Sequence, residues 1–229
     1  MSLMRESLYF GVVISLLTYW IGLWLKQRLG WAVLNPILVA VVLVIAALKL
    51  LRVDYSSYYE GAKYISYLLT PATVCLAIPL YKQLNLLRQN LAAVIFAITA
   101  GVIVSALSIF VLCLIFRMEH VYYATLLPKS ITTAIGMGVS EEAGGIVTIT
   151  VVCIIITGIL GNIIGERMFS LLHLKSPISR GLALGTSAHA VGTAKALELG
   201  EIEGAMSSLS VAVAGLMTVV VVPLVSGWI

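Results

Sequence analysis

Charge is scarce in this chain. Only 10% of the 229 residues are Asp, Glu, Lys or Arg, against about 25% in soluble globular domains. That excludes a protein that keeps most of its surface in water. Cysteine is scarcer still: Cys75, Cys113 and Cys153 are odd in number and stand in apolar surroundings, so they build no disulfide framework and read as packing residues. No basic block is present; the net charge of +4 is spread over short polar connections, which excludes nucleic acid as a partner. The chain has no GxSxG elbow, HExxH, CxxC or phosphate loop. Adjacent residues on a helix point about 100 degrees apart, so Lys129 is badly placed to activate Ser130. The expectation is a protein that is not an enzyme and uses no metal or cofactor.

Apolar residues fill the chain instead, at 61% with a mean hydropathy of +1.09. Charge-free runs cover Ser7 to Leu25, Trp31 to Leu48, Leu91 to Phe116, Ala143 to Gly165 and Gly204 to Ile229. About 20 apolar residues cross a bilayer core, so these runs predict five full membrane helices. The first exceeds a signal-peptide core of roughly 7 to 15 residues and has no A-x-A site before Lys26, so it is expected to stay in the mature chain. The longest polar connections, around Lys49 to Lys63 and Glu166 to Arg180, are too short for a soluble domain. Residues 1–229 are expected to form one all-α polytopic membrane domain.

Three further apolar segments are interrupted. Tyr64 to Tyr81 holds Thr70-Pro71 and Pro79, Tyr122 to Gly138 holds Pro128-Lys129, and Gly181 to Ala194 reads GLALGTSAHAVGTA. They correspond at a constant offset of 57 residues: Pro71, Thr73, Val74, Ala77 and Ile78 align with Pro128, Ser130, Ile131, Ala134 and Ile135. The offset continues from Pro128 and Ser130 to Gly185 and Ser187, and aligns Gly101, Gly158 and Gly215 in the long runs that follow. The reading is two N-terminal spans (1–57) and three repeated units, about 58–117, 118–174 and 175–229, each a broken or re-entrant segment followed by a full span. Interrupted apolar segments in corresponding positions point to a transporter binding site, although a duplication can also build a bare scaffold.

A helix break frees backbone groups that cost several kcal/mol each in lipid, so the breaks are expected to face protein or a wet cavity. Thr70 before Pro71 is a good helix cap, whereas Leu127 before Pro128 is not. A half-helix starting near Pro128 is therefore expected to offer uncapped N–H groups and a positive dipole end to an anion. Lys129 needs a partner or a water-filled cavity, since a charge at the bilayer centre costs about 2.5 to 3.5 kcal/mol. A substrate carboxylate would serve; the alternative is a side chain that snorkels to the headgroups. Ser130, Thr132 and Thr133, with Thr73 as the counterpart of Ser130, are the hydroxyls expected to orient that ligand. His189 stands within an apolar stretch and has the pKa range for proton coupling; the alternative is a structural histidine bonded to a carbonyl. Ser187 and Thr193 are expected to line the same break. Asn162 and Glu166 read as a polar pair or a helix-end cap, Glu141 and Glu142 as a water-exposed end, and Lys195, Glu198, Glu201 and Glu203 as a solvated loop.

The segments LNPILVA (Leu34 to Ala40), LLTPATVCLAIPLYKQ (Leu68 to Gln83), LLPKSITTAIGMGV (Leu126 to Val139) and GTSAHAVGTAKA (Gly185 to Ala196) resemble the LrgB/CidB family of bacterial membrane proteins. The C-terminal half of the plastid glycolate/glycerate translocator is also similar. One residue departs, with Ala134 where the family often carries proline. The resemblance implies a place in the bacterial cytoplasmic membrane and a smaller LrgA/CidA-type partner in a homo- or hetero-oligomer. It implies two kinds of function: holin-like or antiholin-like control of murein hydrolases and lysis, and transport of small monocarboxylates such as pyruvate, glycolate or glycerate. The broken helices around an isolated lysine favour a carboxylate carrier, with proton coupling expected through His189, over an unselective pore. A non-transporting scaffold subunit is the third reading.

Overall fold

The computed structural model describes residues 9–31 and 34–229, apart from the side chains of residues 69, 70 and 73. The described residues are helical or irregular, with no strand among them. Four helices are long and apolar enough to cross a membrane by length and composition: α1 (Phe10–Leu29), α7 (Leu91–Ile115), α10 (Val147–Leu171) and α12 (Glu201–Val225), the last extended by a 3-10 turn to Trp228. The fifth expected span, Trp31 to Leu48, forms the shorter α2 (Pro36–Leu51, 16 residues), about 24 Å long against a core of about 30 Å. It starts late because Asn35 caps it, accepting from Ile37 N at 2.8 Å, with Pro36 at the first helical position.

The chain divides into two compact units, Met1–Cys75 and Leu76–Ile229. The boundary falls inside the first expected repeat unit, 58–117. The first unit holds α1, α2, α3 (Tyr55–Ser66) and α4 (Leu69–Cys75). Small residues let its backbones approach: a Cβ on Gly22 would stand 2.7 Å from Pro36 O, and one on Gly11 would meet the backbone of Tyr58 to Ala62. Ser15 Oγ and Tyr58 OH, 2.8 Å apart, join α1 to α3. Helix α4 begins at Leu69, so Thr70 lies in its first turn instead of capping it.

The second unit opens with the short α5 (Ala77–Lys82) and α6 (Leu84–Gln89) before α7. Two segments then fold back on themselves. The first comprises α8 (His120–Leu126) and α9 (Thr133–Glu142), separated by residues 127–132. His120 Nε2 lies 3.3 Å from Ala143 O, although twenty-three helical residues would span about 35 Å. The second is α11 (Pro177–Leu199), interrupted by non-helical angles at Ala188 and His189. Gly181 packs on Glu203 while Leu197 packs on Gly204; in a straight helix these sixteen residues would stand about 24 Å apart. Both segments are therefore re-entrant hairpins.

Helix α12 orients them. The mouth of the first hairpin is tied to its C-terminal end, where Tyr123 OH donates to Val225 O at 3.1 Å and His120 Nδ1 lies 2.9 Å from Ile229 O. The mouth of the second lies at its N-terminal end, around Glu203 and Gly204. The hairpins thus enter from opposite ends of a 25-residue helix, about 38 Å long, and their tips point toward its middle. The core follows this plan. Tyr123, Leu127 and Ile131 of the first hairpin pack with Ile109, Cys113, Val222 and Val225. Leu182 of the second packs with Val94, Ile98, Ala205 and Met206.

The expected solvated loop at Lys195 to Glu203 is not a loop. Only Gly200 separates α11 from α12, and Glu203 is buried in the first turn of α12, where a carboxylate complements the positive end of the helix. The half-helix expected near Pro128 starts instead at Thr133. Pro128 occupies the tip itself, because the chain needs those residues to turn back.

Candidate functional site

Lys129 stands at the tip of the first hairpin, half-buried. The break that carries it is not helical, and the geometry assumed for two helical neighbours therefore fails. Lys129 Nζ donates to Ser130 Oγ at 2.9 Å, and Ser130 Oγ lies 3.4 Å from Ser105 Oγ on α7. These groups border a cavity of about 530 Å³ between α7, the first tip and the outer arm of the second hairpin, within the roughly 300 to 1,000 Å³ range of small-molecule sites.

Its polar lining is almost wholly hydroxyl: Ser105 and Ser108 from α7, Ser130 from the first tip, and Ser179, Thr186 and Ser187 from α11, with Lys129 as the cation. Ser187 Oγ donates to Ala183 O at 2.6 Å, which leaves its lone pairs, and not its proton, for a further partner. A second cavity of about 380 Å³ adjoins the first, sharing Lys129, Ala183 and Ser187. Apart from those and Thr157, it is walled by apolar residues and glycine from α10, α11 and the connection between them.

Of the expected site residues described, Lys129, Ser130 and Ser187 line the larger cavity. Thr132 and Thr133, at the start of α9, are half-buried outside that lining. Thr132 is the N-cap of α9 but its side chain makes no capping hydrogen bond. The side chain of Thr73 lies outside the described residues. Thr193 is fully buried on the returning arm of the second hairpin, bonded to His189 O at 3.0 Å and to Ser207 Oγ at 2.9 Å.

His189 forms the tip of the second hairpin. Its backbone adopts φ 42 and ψ −137, a left-handed conformation costing on the order of 1 to 3 kcal/mol. Its Nε2 lies 2.9 Å from Ile154 O on α10, and since a carbonyl only accepts, Nε2 carries the proton. Gly158, one turn along, leaves the ring its room: a Cβ there would stand 2.8 Å from Cε1 and Nε2. The stripe continues, with Asn162 Nδ2 donating to Val191 O at 3.2 Å and Glu166 paired with Lys195 at 3.0 Å. Asn162 and Glu166 therefore tie α10 to the returning arm.

The three glycines aligned in sequence each receive a hairpin side chain: Gly101 faces Thr186, Gly158 faces His189 and Gly215 faces Ile135. Ser105, Ser108, Ser179 and Thr186 are lining residues that sequence reasoning missed. Their signal is faint because a serine in a long apolar helix can bond its own turn, as Ser108 Oγ does to Val104 O at 2.7 Å.

The model of the LrgB-like family matches residues 15–228 of this chain. The chain is 40% identical over 217 residues, 94% of each protein, to the antiholin-like protein LrgB of Bacillus cereus strain B4264. It is similar to the same extent, 40% over 217 residues and 94% of each, to the antiholin-like protein LrgB of Bacillus anthracis strain A0248. No solved structure matches it.

Proposed function

We propose, starting from the fact that this chain belongs to the LrgB-like family, that it is an antiholin-like protein of the bacterial cytoplasmic membrane whose working part is an anion site at Lys129. The single observation that carries the site is that Lys129 stands at a hairpin tip, hydrogen-bonded to Ser130, on a cavity whose other polar lining groups are hydroxyls. An ammonium at membrane depth marks a substrate path or demands a counter-ion. Opposed interrupted helices meeting near the middle of a spanning helix are the architecture in which transporters hold anionic solutes.

The finer reading is carriage of a small monocarboxylate of the pyruvate, glycolate or glycerate class. Its carboxylate sits on Lys129 and Ser130, Ser187 offers lone pairs to the hydroxyl of glycolate or glycerate, and Thr132 and Thr133 are assigned to orienting the ligand. His189, whose strained backbone and buried ring sit at the opposite tip, is assigned to proton coupling, with Thr193 bracing it. A smaller LrgA/CidA-type membrane protein is the proposed partner.

A second reading, restraint of murein hydrolases and lysis without solute carriage, is favoured by the antiholin-like name of the relatives. Uptake of labelled pyruvate and glycolate into proteoliposomes, with and without the partner and a pH gradient, separates the two when dye release is followed in parallel. Saturable uptake with dye retained supports the carrier. Dye release assigns a pore, and no uptake under any combination leaves the regulatory reading.

A further inference from the structure

The cavity that adjoins the first chamber carries fewer polar side chains: Thr157, besides the shared Lys129 and Ser187. Its walls are Leu160, Ile164, Met168, Phe169, Leu172 and Leu184, and it meets the first chamber at Lys129. A single ammonium therefore stands between a wing of about 530 Å³ that carries six hydroxyl side chains and a more apolar wing of about 380 Å³. We infer that the apolar wing holds the hydrocarbon chain of a medium-chain carboxylic acid whose carboxylate is bound by Lys129 and Ser130.

The inference rests on the anion site proposed above and extends its substrate class. Charge complementarity selects the occupant, because a neutral lipid chain gains nothing at Lys129. The apolar lining makes affinity a function of chain length: each methylene moved from water into the wing tightens binding about fourfold, until the wing is filled.

The test uses the full chain in lipid nanodiscs and an octanoate analogue with a diazirine at its terminal carbon. After photolysis, the labelled peptides are identified by mass spectrometry, and butanoate, hexanoate, octanoate and octanol are compared as competitors. The label is expected on the α10 stretch containing Ile164 and Met168. Potency is expected to rise about fourfold per methylene, with octanol at least tenfold weaker than octanoate and labelling lost in Lys129→Ala. Ile164→Trp and Met168→Trp, both at exposed positions, are expected to flatten the chain-length series while the protein still elutes as a folded species. Labelling spread over the outer surface and indifferent to Lys129→Ala would overturn the inference as partition into lipid. Competition that needs Lys129 but ignores chain length would overturn it while leaving the anion site standing. No competition by any carboxylate would overturn both.

Discussion

The imidazole of His189 and the backbone carbonyl of Ile154 are joined by a 2.9 Å hydrogen bond in which Nε2 is the donor. One bond therefore fixes the tip of the second hairpin to α10 where α11 is broken. His189→Ala leaves that carbonyl without its donor and opens a cavity, and is expected to cost about 1 to 3 kcal/mol, read as a lower unfolding temperature in detergent. His189→Gln keeps a donor and is expected to cost less. If His189 couples transport to protons, His189→Gln makes uptake indifferent to a pH gradient; full proton dependence in that variant restricts the residue to holding the tip.

Lys129 presents the opposite case, a residue expected to matter more for binding than for folding. A hydrogen bond to a charged group contributes about 1.5 to 3 kcal/mol. Lys129→Ala is therefore expected to weaken carboxylate binding at least about tenfold, measured by titrating labelled pyruvate or glycolate onto purified protein. Lys129→Arg is not expected to restore it, because the planar guanidinium cannot occupy the place of a compact ammonium bonded to Ser130. Wild-type affinity in Lys129→Ala removes the anion site.

Gly158→Ala pushes a methyl to 2.8 Å from the His189 ring, and overpacking of this kind costs about 1 to 3 kcal/mol. Gly138, in the exposed part of α9, is the contrasting case, since a methyl added there would meet nothing within 4 Å. Gly138→Ala is expected to be neutral or stabilising by up to about 1 kcal/mol. Thermal unfolding of the two variants side by side checks the contrast; equal losses would show that the His189 contact does not govern Gly158.

Thr150 lies fully buried and bonds to Ser140 Oγ at 2.6 Å and to Thr125 O at 2.9 Å, which ties both arms of the first hairpin to α10. Thr150→Val keeps the shape and strands those partners, at a cost of about 1 to 3 kcal/mol. Thr150→Ser is expected to recover most of it. The comparison is again made by unfolding temperature, with a Ser variant as unstable as Val showing that the methyl, and not the hydroxyl, matters there.

Membrane insertion, the long spans, the interrupted segments and the isolation of Lys129 were legible in the sequence alone. Hydropathy adds up residue by residue against a bilayer of fixed thickness, and proline and glycine interrupt helices through their own covalent geometry. The turning back of Pro128 and His189 toward one another was not legible. A broken segment satisfies its local backbone equally well by crossing or by returning, and the choice lies with distant packing such as Gly181 and Gly185 against Glu203 and Ser207. The same holds for Ser105 and Thr186, ordinary small residues in long helices until the fold sets them around one ammonium. Local chemistry thus dictates where the chain enters lipid and where it breaks, while long-range contacts dictate what the breaks enclose.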